Sequence, residues 1–524
     1  MATKVPVTFV PAGVTVWVEA GATVLEAAKA AGILLPAPCG GRGVCGSCGV
    51  RVVDGALAAP DDVERRGLER APEGVRLACR AAVAAPVRVR PVLAHPTQAS
   101  VSSVCAQDAA GALRAGVDLG TTSVAAVLID AETGRELARA SVPNRQQSVG
   151  GDVLTRVSAS LAGRGGELRM LAEQSVLDAL SATAGVCGID LTRVVRVVVA
   201  GNSAMAGLLV GADVSSLAGH PFTPPFAGGA MVRDSLVVQA LAAGAEAVVL
   251  PPMAGFVGGD ALAGVISAGL VGAARPVLLV DFGTNAEIVL AGGDTLVVAS
   301  AAAGPAFEGA GISCGGPAID GAVTSVSIEP DGLVRLEVLG GVAPKWFSGS
   351  GLLSALAALR GLGHVSVDGR MRMQGPLESH FSTNDAGVVT ISLGGRNGGL
   401  TLDQLDVRAL QLAKAAVRVG IEAVLAAGGV DPAHLDEVLL AGAFGSALKV
   451  GDLVDLGVLP GAVAGVSRSV GNAALDGAAA IALDAELLVL AEQAARGARH
   501  VDLATDPAFN ARFLDAMGLE PYGF

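Results

Sequence analysis

At 524 residues the chain exceeds what one compact core accommodates, so several domains are expected. Apolar residues make up 52% of it and aromatics only 3%, which implies cores packed mostly with Ala, Val and Leu. A formal net charge of −13 argues against chain-wide attraction to nucleic acid or to anionic lipid.

The first residues, MATKVPVTFVPAGVTV, lack a basic, apolar and cleavage-site succession, so no secretion signal is expected. Val5 to Val18 alternates apolar and polar residues around Pro11-Ala12-Gly13, the pattern of a β-hairpin. Thr23 then precedes VLEAAKAAG, whose apolar residues recur at helical spacing, with Gly32 as the C-terminal stop. A glycine-rich loop follows, PAPCGGRGVCGSCGVRVVDG.

Its cysteines, Cys39, Cys45 and Cys48, are spaced C-x5-C-x2-C, and Cys79 stands further on in RLACR. Four thiolates with such a loop suit a [2Fe–2S] cluster, because Gly40, Gly41, Gly43, Gly46 and Gly49 let N–H groups turn toward the sulfurs. A zinc site would normally bring two short paired spacings, whereas the fourth ligand here is solitary. Four of the seven cysteines crowd into the first 79 residues, unlike a secreted disulfide framework. Reduced cytoplasmic thiols fit better. Cys105, Cys187 and Cys314 lack the spacing and read as small buried hydrophobes, with Cys314 set in the glycine-rich ISCGG.

Residues 3–94 resemble the plant- and adrenodoxin-type ferredoxin domain, which implies an α+β, β-grasp fold. The plant-type loop has four residues between its first two cysteines where this chain has five, a departure that leaves the cluster type intact. From Ala94 to Ala112 the chain is polar without clear periodicity, so residues 95–113 read as a linker that would let the ferredoxin swing between electron donor and acceptor.

At Ala115–Asp130, AGVDLGTTSVAAVLID, one strand runs into Asp118-Leu119-Gly120-Thr121-Thr122-Ser123 and a second returns. Gly120 allows N–H groups to approach a phosphate, and the Thr121 and Thr122 hydroxyls add donors. Asp118 is placed to hold a water on Mg2+ beside that phosphate. The pattern recurs at Pro276–Ala291, PVLLVDFGTNAEIVLA, with Asp281, Gly283, Thr284 and Asn285 in the turn. Two such turns suggest duplicated half-domains gripping a nucleotide. Between them, Ala261–Ala274 is too short for a span of about 20 apolar residues and reads as a buried core helix.

A third strand with a glycine-rich end, EVLLAGAFGS, covers Glu437–Ser446. The three segments resemble the phosphate-1, phosphate-2 and adenosine motifs of the acetate and sugar kinase, Hsp70 and actin superfamily. That resemblance implies α/β domains of the actin/Hsp70/kinase (ASKHA) type, with Gly442 and Gly445 near the adenosine. No Walker A loop, G-x4-G-K-[ST], occurs. The six histidines show no H-x3-H or H-E-x2-H arrangement, and His220 reads as a turn residue.

A ferredoxin ahead of such an ATPase is a narrow combination, and the whole chain resembles the reductive activators of corrinoid proteins (the RACo family). The similarity runs through NRQQSVGGDVLTRV (Asn144–Val157), VAGNSAMAGLLVG (Val199–Gly211), HPFTPPF (His220–Phe226), PPMAGFVGGD (Pro251–Asp260), AAAGPAFEGAGI (Ala301–Ile312), SGSGLLSAL (Ser348–Leu356), LQLAKAAVRVGI (Leu410–Ile421) and GNAALDGA (Gly471–Ala478). The chain departs from the family in a shorter linker, in Ala286 where Gly is common, and in a GNSAMAGLL segment without the family's histidine. The resemblance implies a ferredoxin-like domain at 1–94, a middle domain at 114–200 and a C-terminal ATP-binding domain at 201–524.

It also implies a repair reaction, in which one electron returns an oxidised Co(II) corrinoid protein to Co(I) at the expense of ATP. The expected partners are a corrinoid protein and an electron-donating reductase or ferredoxin, in the cytoplasm, without nucleic acid or membrane; a homodimer stays open. Asp260 and Glu308, each in a glycine-flanked loop, are candidates for positioning the hydrolytic water. Lys414, on an apparent helix, either reaches the nucleotide or is solvated. Rival readings are an activator of a dehydratase-type enzyme, a redox-regulated small-molecule kinase, and a non-enzymatic scaffold.

Overall fold

The computed structural model describes residues 4–10, 12–33, 35, 37, 41–43, 48–68, 74–91, 100–103, 111–293, 295–309, 311–383, 387–394, 399–442 and 448–523. They form two units, Met1–Val249 and Leu250–Phe524.

The first unit opens with the expected hairpin. Strands β1 (Lys4–Phe9) and β2 (Val14–Glu19) pair antiparallel, and alternation sends Val5, Val7 and Phe9 into the core. Thr23 caps α1 (Val24–Ala30) in a reciprocal box with Glu26, and Gly32 turns the chain away at φ +67°. Then follow β3 (Gly49–Leu57), α2 (Asp62–Leu68), β4 (Val75–Leu77) and β5 (Val83–Pro91). The sheet order is β2-β1-β5-β3-β4, with β1 parallel to β5, and the buried residues of α1 join the core that the strands supply. This is the expected ferredoxin β-grasp.

A seven-stranded sheet builds the rest of this unit, from β6 (Ser100–Ser103), β7 (Leu113–Leu119), β8 (Ser123–Asp130), β9 (Glu136–Pro143), β10 (Val194–Gly201), β11 (Ala230–Met231) and β12 (Glu246–Val249). Its order is β11-β12-β10-β7-β8-β9-β6. Strands β7 to β9 form an antiparallel meander, and β10 and β12 run parallel to β7 beside it. Four helices accompany it: α3 (Val153–Ala159), α4 (Gly165–Cys187), α5 (Ser203–Val210) and α6 (Leu236–Gln239). Cys187, at the end of α4, is half-buried and disulfide-bonded, which overturns its reading as a small buried thiol.

The second unit begins with α7 (Gly259–Ser267), β13 (Val277–Asp281), β14 (Ala286–Gly292) and β15 (Thr295–Ala301). Next come β16 (Ala322–Ile328), β17 (Val334–Val338), β18 (Trp346–Phe347), α8 (Gly349–Gly361), β19 (Phe381–Thr383), β20 (Val389–Ser392) and β21 (Thr401–Asp403). The chain closes with α9 (Gln404–Gly428), β22 (Glu437–Ala441), α10 (Val450–Asp455), β23 (Ser467–Gly471), α11 (Ala473–Leu483), α12 (Ala485–Gly497), β24 (Arg499–His500) and α13 (Phe509–Asp515). The main sheet is ordered β23-β22-β13-β14-β15-β24. Its meander β13–β15 with parallel β22 and β23 repeats the plan of β7–β9 with β10 and β12. The duplicated α/β plan of the kinase, Hsp70 and actin superfamily is therefore present.

The expected core helix within Ala261–Ala274 is α7, with Ala261, Leu262, Ala263 and Val265 at 1% exposure or less. No helix among the described residues is long and apolar enough to cross a membrane. Helix α11 crosses α7 so closely that a Cβ on Gly477 would lie 1.9 Å from the Ala263 carbonyl oxygen. Backbone cannot yield as a side-chain tip can. Gly477→Val is expected to cost about 3 kcal/mol or more, read as a lower urea midpoint for the second unit.

Candidate functional site

Cys48 immediately precedes β3 and Cys79 follows β4, two strands paired with Gly49 opposite Leu77. The Ala78 N–H donates to the Cys48 carbonyl at 2.9 Å, so the two cysteine segments adjoin. Both side chains are buried, at 1% and 7% exposure. Glu64 of α2 is wholly buried and accepts two bonds from Arg76 at 2.8 Å and one from the Leu77 N–H at 2.9 Å, which locks β4 to α2 just before Cys79.

Gly43 of the glycine-rich loop rests on the same helix. A Cβ on Gly67 of α2 would come 2.2 Å from the Gly43 carbonyl oxygen, and Gly43 itself has φ +76°, which favours glycine. Arg80 pairs with Asp61 and holds that carboxyl below the usual range. Cys39 and Cys45 lie outside the described residues. Two buried thiols on adjoining segments, beside a loop whose glycines permit close wrapping, fit thiolate ligation of a [2Fe–2S] cluster.

The first phosphate turn joins β7 to β8. Asp118 and Gly120 are half-buried there, and a Cβ on Gly120 would meet the Ser123 carbonyl oxygen at 2.8 Å. Asn144 donates from Nδ2 to the Gly120 carbonyl at 2.8 Å, and Gln147 donates to the Thr122 carbonyl. Asn202, 8% exposed, donates to Thr121 Oγ1 at 3.0 Å while its own oxygen caps α5 through the Met205 N–H. Sequence reasoning assigned no role to Asn144, Gln147 or Asn202. All three stand in segments that carry the family resemblance, which was the available signal.

The second turn joins β13 to β14. Thr284 donates from its hydroxyl to Glu308 Oε1 at 2.8 Å, so the structure brings Glu308 to the turn that holds Gly283 and Asn285. Glu308 ends a short 3-10 turn, Pro305–Glu308, whose Phe307 packs edge-on against Phe282 with centroids 5.9 Å apart. Gly442, past the end of β22, adopts φ +116°. A Cβ there would lie 2.4 Å from the Phe282 carbonyl and 3.1 Å from Asp281 Oδ1, so the start of the adenosine motif abuts Asp281. Gly445 lies outside the described residues. Asp260 sits half-buried in the first turn of α7 and accepts from the adjacent Ala261 N–H at 2.9 Å, while Gly258 stands at the N-cap.

Lys414 is neither at a nucleotide turn nor solvated. It is 1% exposed, and its ammonium donates to the carbonyls of Leu456, Gly457 and Gly518 at 2.9, 3.2 and 2.5 Å. Cys314 is half-buried, with burial pushing its thiol up.

Residues 275–523 match the C-terminal, ASKHA domain of RACo, residues 113–272 match the RACo middle region, and residues 7–84 match the 2Fe-2S iron-sulfur cluster binding domain. The chain is 32% identical over 412 residues to the corrinoid activation enzyme RamQ of Eubacterium limosum, covering 75% of this chain and 68% of that protein. It is 26% identical over 445 residues to a [Co(II) methylated amine-specific corrinoid protein] reductase of Methanosarcina barkeri, covering 78% of each. A solved reductive activator for corrinoid, iron-sulfur protein superposes with a TM-score of 0.72 at 23% identity, over 99% of this chain and 98% of that one, a likeness of fold. With the ferredoxin, middle and ASKHA regions in the same order, and with identity of this extent, the chain belongs to the family of reductive activators of corrinoid proteins.

Proposed function

We infer that this protein uses ATP to return a Co(II) corrinoid protein to the Co(I) state, one electron at a time. The observation that carries the reading is a cysteine-loop ferredoxin fold and two D-x-G-T phosphate turns in one polypeptide whose relatives are named for corrinoid activation. When bound, a [2Fe–2S] cluster supplies the one-electron carrier. Cys39, Cys45, Cys48 and Cys79 hold it, and the Glu64–Arg76 lock keeps β4 in place beneath Cys79.

Asp118 and Asp281 orient water on Mg2+, and Thr121, Thr122, Thr284 and Asn285 contact phosphate. Gly442 and Gly445 border the adenosine. Glu308, held by the Thr284 hydroxyl, positions the hydrolytic water, with Asp260 as a second candidate. A cytoplasmic location keeps the cluster thiols reduced, and a reductase or ferredoxin replenishes the electron.

Corrinoid Co(II) accepts an electron only at low potential, and each ~59 mV of mismatch costs a factor of ten for one electron. ATP therefore acts on the acceptor complex. Mixing reduced protein with a Co(II) corrinoid protein is expected to yield the Co(I) absorption band at least about tenfold faster with MgATP. The protein's own midpoint potential, measured without corrinoid protein, stays unchanged on adding ATP. Absence of the Co(I) band with every corrinoid protein tried would refute the function, and a large ATP-induced shift in that potential would refute the route.

A further inference from the structure

Arg156, on α3, is completely buried in the first unit. Its guanidinium donates from Nε to the Gly150 carbonyl at 2.8 Å, and from Nη1 to Gln146 Oε1 at 3.2 Å and to the Met205 sulfur at 2.8 Å. From Nη2 it donates at 2.6 Å to the carbonyl of Thr121, inside the first phosphate turn. All four acceptors are neutral. The nearby acid, Asp152, is committed to capping α3, accepting from the Thr155 N–H at 2.8 Å and the Thr155 hydroxyl at 2.6 Å. Burial presses the guanidinium down to about 9, which leaves it cationic at neutral pH. A buried cation without a carboxylate partner is costly unless something else offsets it.

The backbone indicates what offsets it. The only cis peptide among the described residues is His220–Pro221, so the Thr121–Thr122 peptide is trans and its carbonyl and N–H point to opposite sides. With the Thr121 carbonyl tied inward to Arg156, the Thr122 N–H faces outward. The same holds one peptide earlier, where Asn144 takes the Gly120 carbonyl and turns the Thr121 N–H outward. Donation to a carbonyl also polarises its peptide and makes the N–H a stronger donor. Two outward N–H groups backed by a buried cation form an anion seat.

We propose that Arg156 is the positioning cation of the first phosphate turn, holding the Thr122 N–H toward a nucleotide phosphate whose negative charge offsets the buried guanidinium. The proposal rests on the assignment of this turn to ATP. Its test is MgATP affinity, by titration calorimetry on the full chain. Arg156→Gln, which keeps a donor but removes the charge, is expected to bind MgATP about 100-fold more weakly, and Arg156→Lys to recover most of that loss. Gln146→Glu sets a carboxylate on Nη1 but gives up the Nε2 donation to the Leu168 carbonyl at 2.9 Å, so Gln146→Met, which loses that bond without adding charge, is its control. Relative to that control, Gln146→Glu is expected to weaken MgATP about tenfold with the guanidinium still in place.

A merely structural arginine would leave Gln146→Glu and Gln146→Met equal in MgATP affinity, because both lose the Leu168 bond and only one adds charge. The visible absorption of the ferredoxin part should be unchanged in every variant. If Arg156→Gln fails to fold, the comparison of Gln146→Glu with Gln146→Met decides alone. MgATP affinity in Gln146→Glu within about twofold of that in Gln146→Met overturns the proposal and leaves ATP binding standing. A wild-type protein that binds no MgATP overturns the ATP assignment itself, and this proposal with it.

Discussion

Cys48→Ser is expected to abolish Co(I) formation, lowering its rate at least about 100-fold, while MgATP affinity stays at the wild-type value. Cys48 is 1% exposed just before β3, so a serine there would occupy the same buried position. Its hydroxyl would be a poor substitute, because a thiolate forms far more readily and is the softer ligand that iron–sulfur chemistry requires. Cys79→Ser should behave alike, since the Ala78 N–H to Cys48 carbonyl bond joins the two segments. The measurements are iron content, visible absorption and the Co(I) band, beside a nucleotide titration. A Cys48→Ser protein that retains full iron and full rate would remove Cys48 from the ligand set.

Lys414→Met is expected to destabilise the second unit by about 3 to 5 kcal/mol without a matching loss of cluster. The methionine fills much of the same space but leaves the Leu456, Gly457 and Gly518 carbonyls without their donor. The C-terminal segment is held by the same neighbourhood. Gln411 donates to the Met517 carbonyl at 2.9 Å, Arg360 to the Leu519 carbonyl at 2.8 Å, and Arg418 lies 4.0 Å from the centre of the Tyr522 ring. Carboxypeptidase should therefore trim the variant faster than the wild type.

The pH dependence carries a definite sign. Burial, helped by the Arg418 charge and opposed by the Glu422, Glu520 and Asp515 carboxylates, pushes the Lys414 ammonium from 10.5 down to about 7. Between those values the native state binds fewer protons than the unfolded chain, so stability rises with pH across that window. The contribution is full above 10.5 and is lost as pH falls through about 7. Urea midpoints should climb from pH 7 toward pH 10 in the wild type and climb less in Lys414→Met. Equal midpoints and equal slopes in the two proteins would contradict this account.

The readable features were local. Alternation at Val5–Val18 became the β1–β2 hairpin, and Thr23 with Glu26 became a capping box, because both depend on residues a few positions apart. The D-x-G-T segments at Asp118 and Asp281 became strand–turn–strand corners for the same reason. Glu308 reached the Thr284 hydroxyl across 24 residues, a meeting that its glycine-flanked loop only hinted at.

From the residues alone came the opening hairpin, the cap of α1 and the paired phosphate turns, since periodicity, caps and motifs are written in short stretches of chain. The resemblance those motifs carry implied the β-grasp fold and the family. Folding alone chose the partners of buried polar groups. Lys414 finds its three carbonyls 42, 43 and 104 residues away, and Arg156 finds Thr121 and Met205 at 35 and 49. A charged side chain is spelled the same whether water or distant backbone surrounds it, and only the packing of remote segments settles which environment it meets.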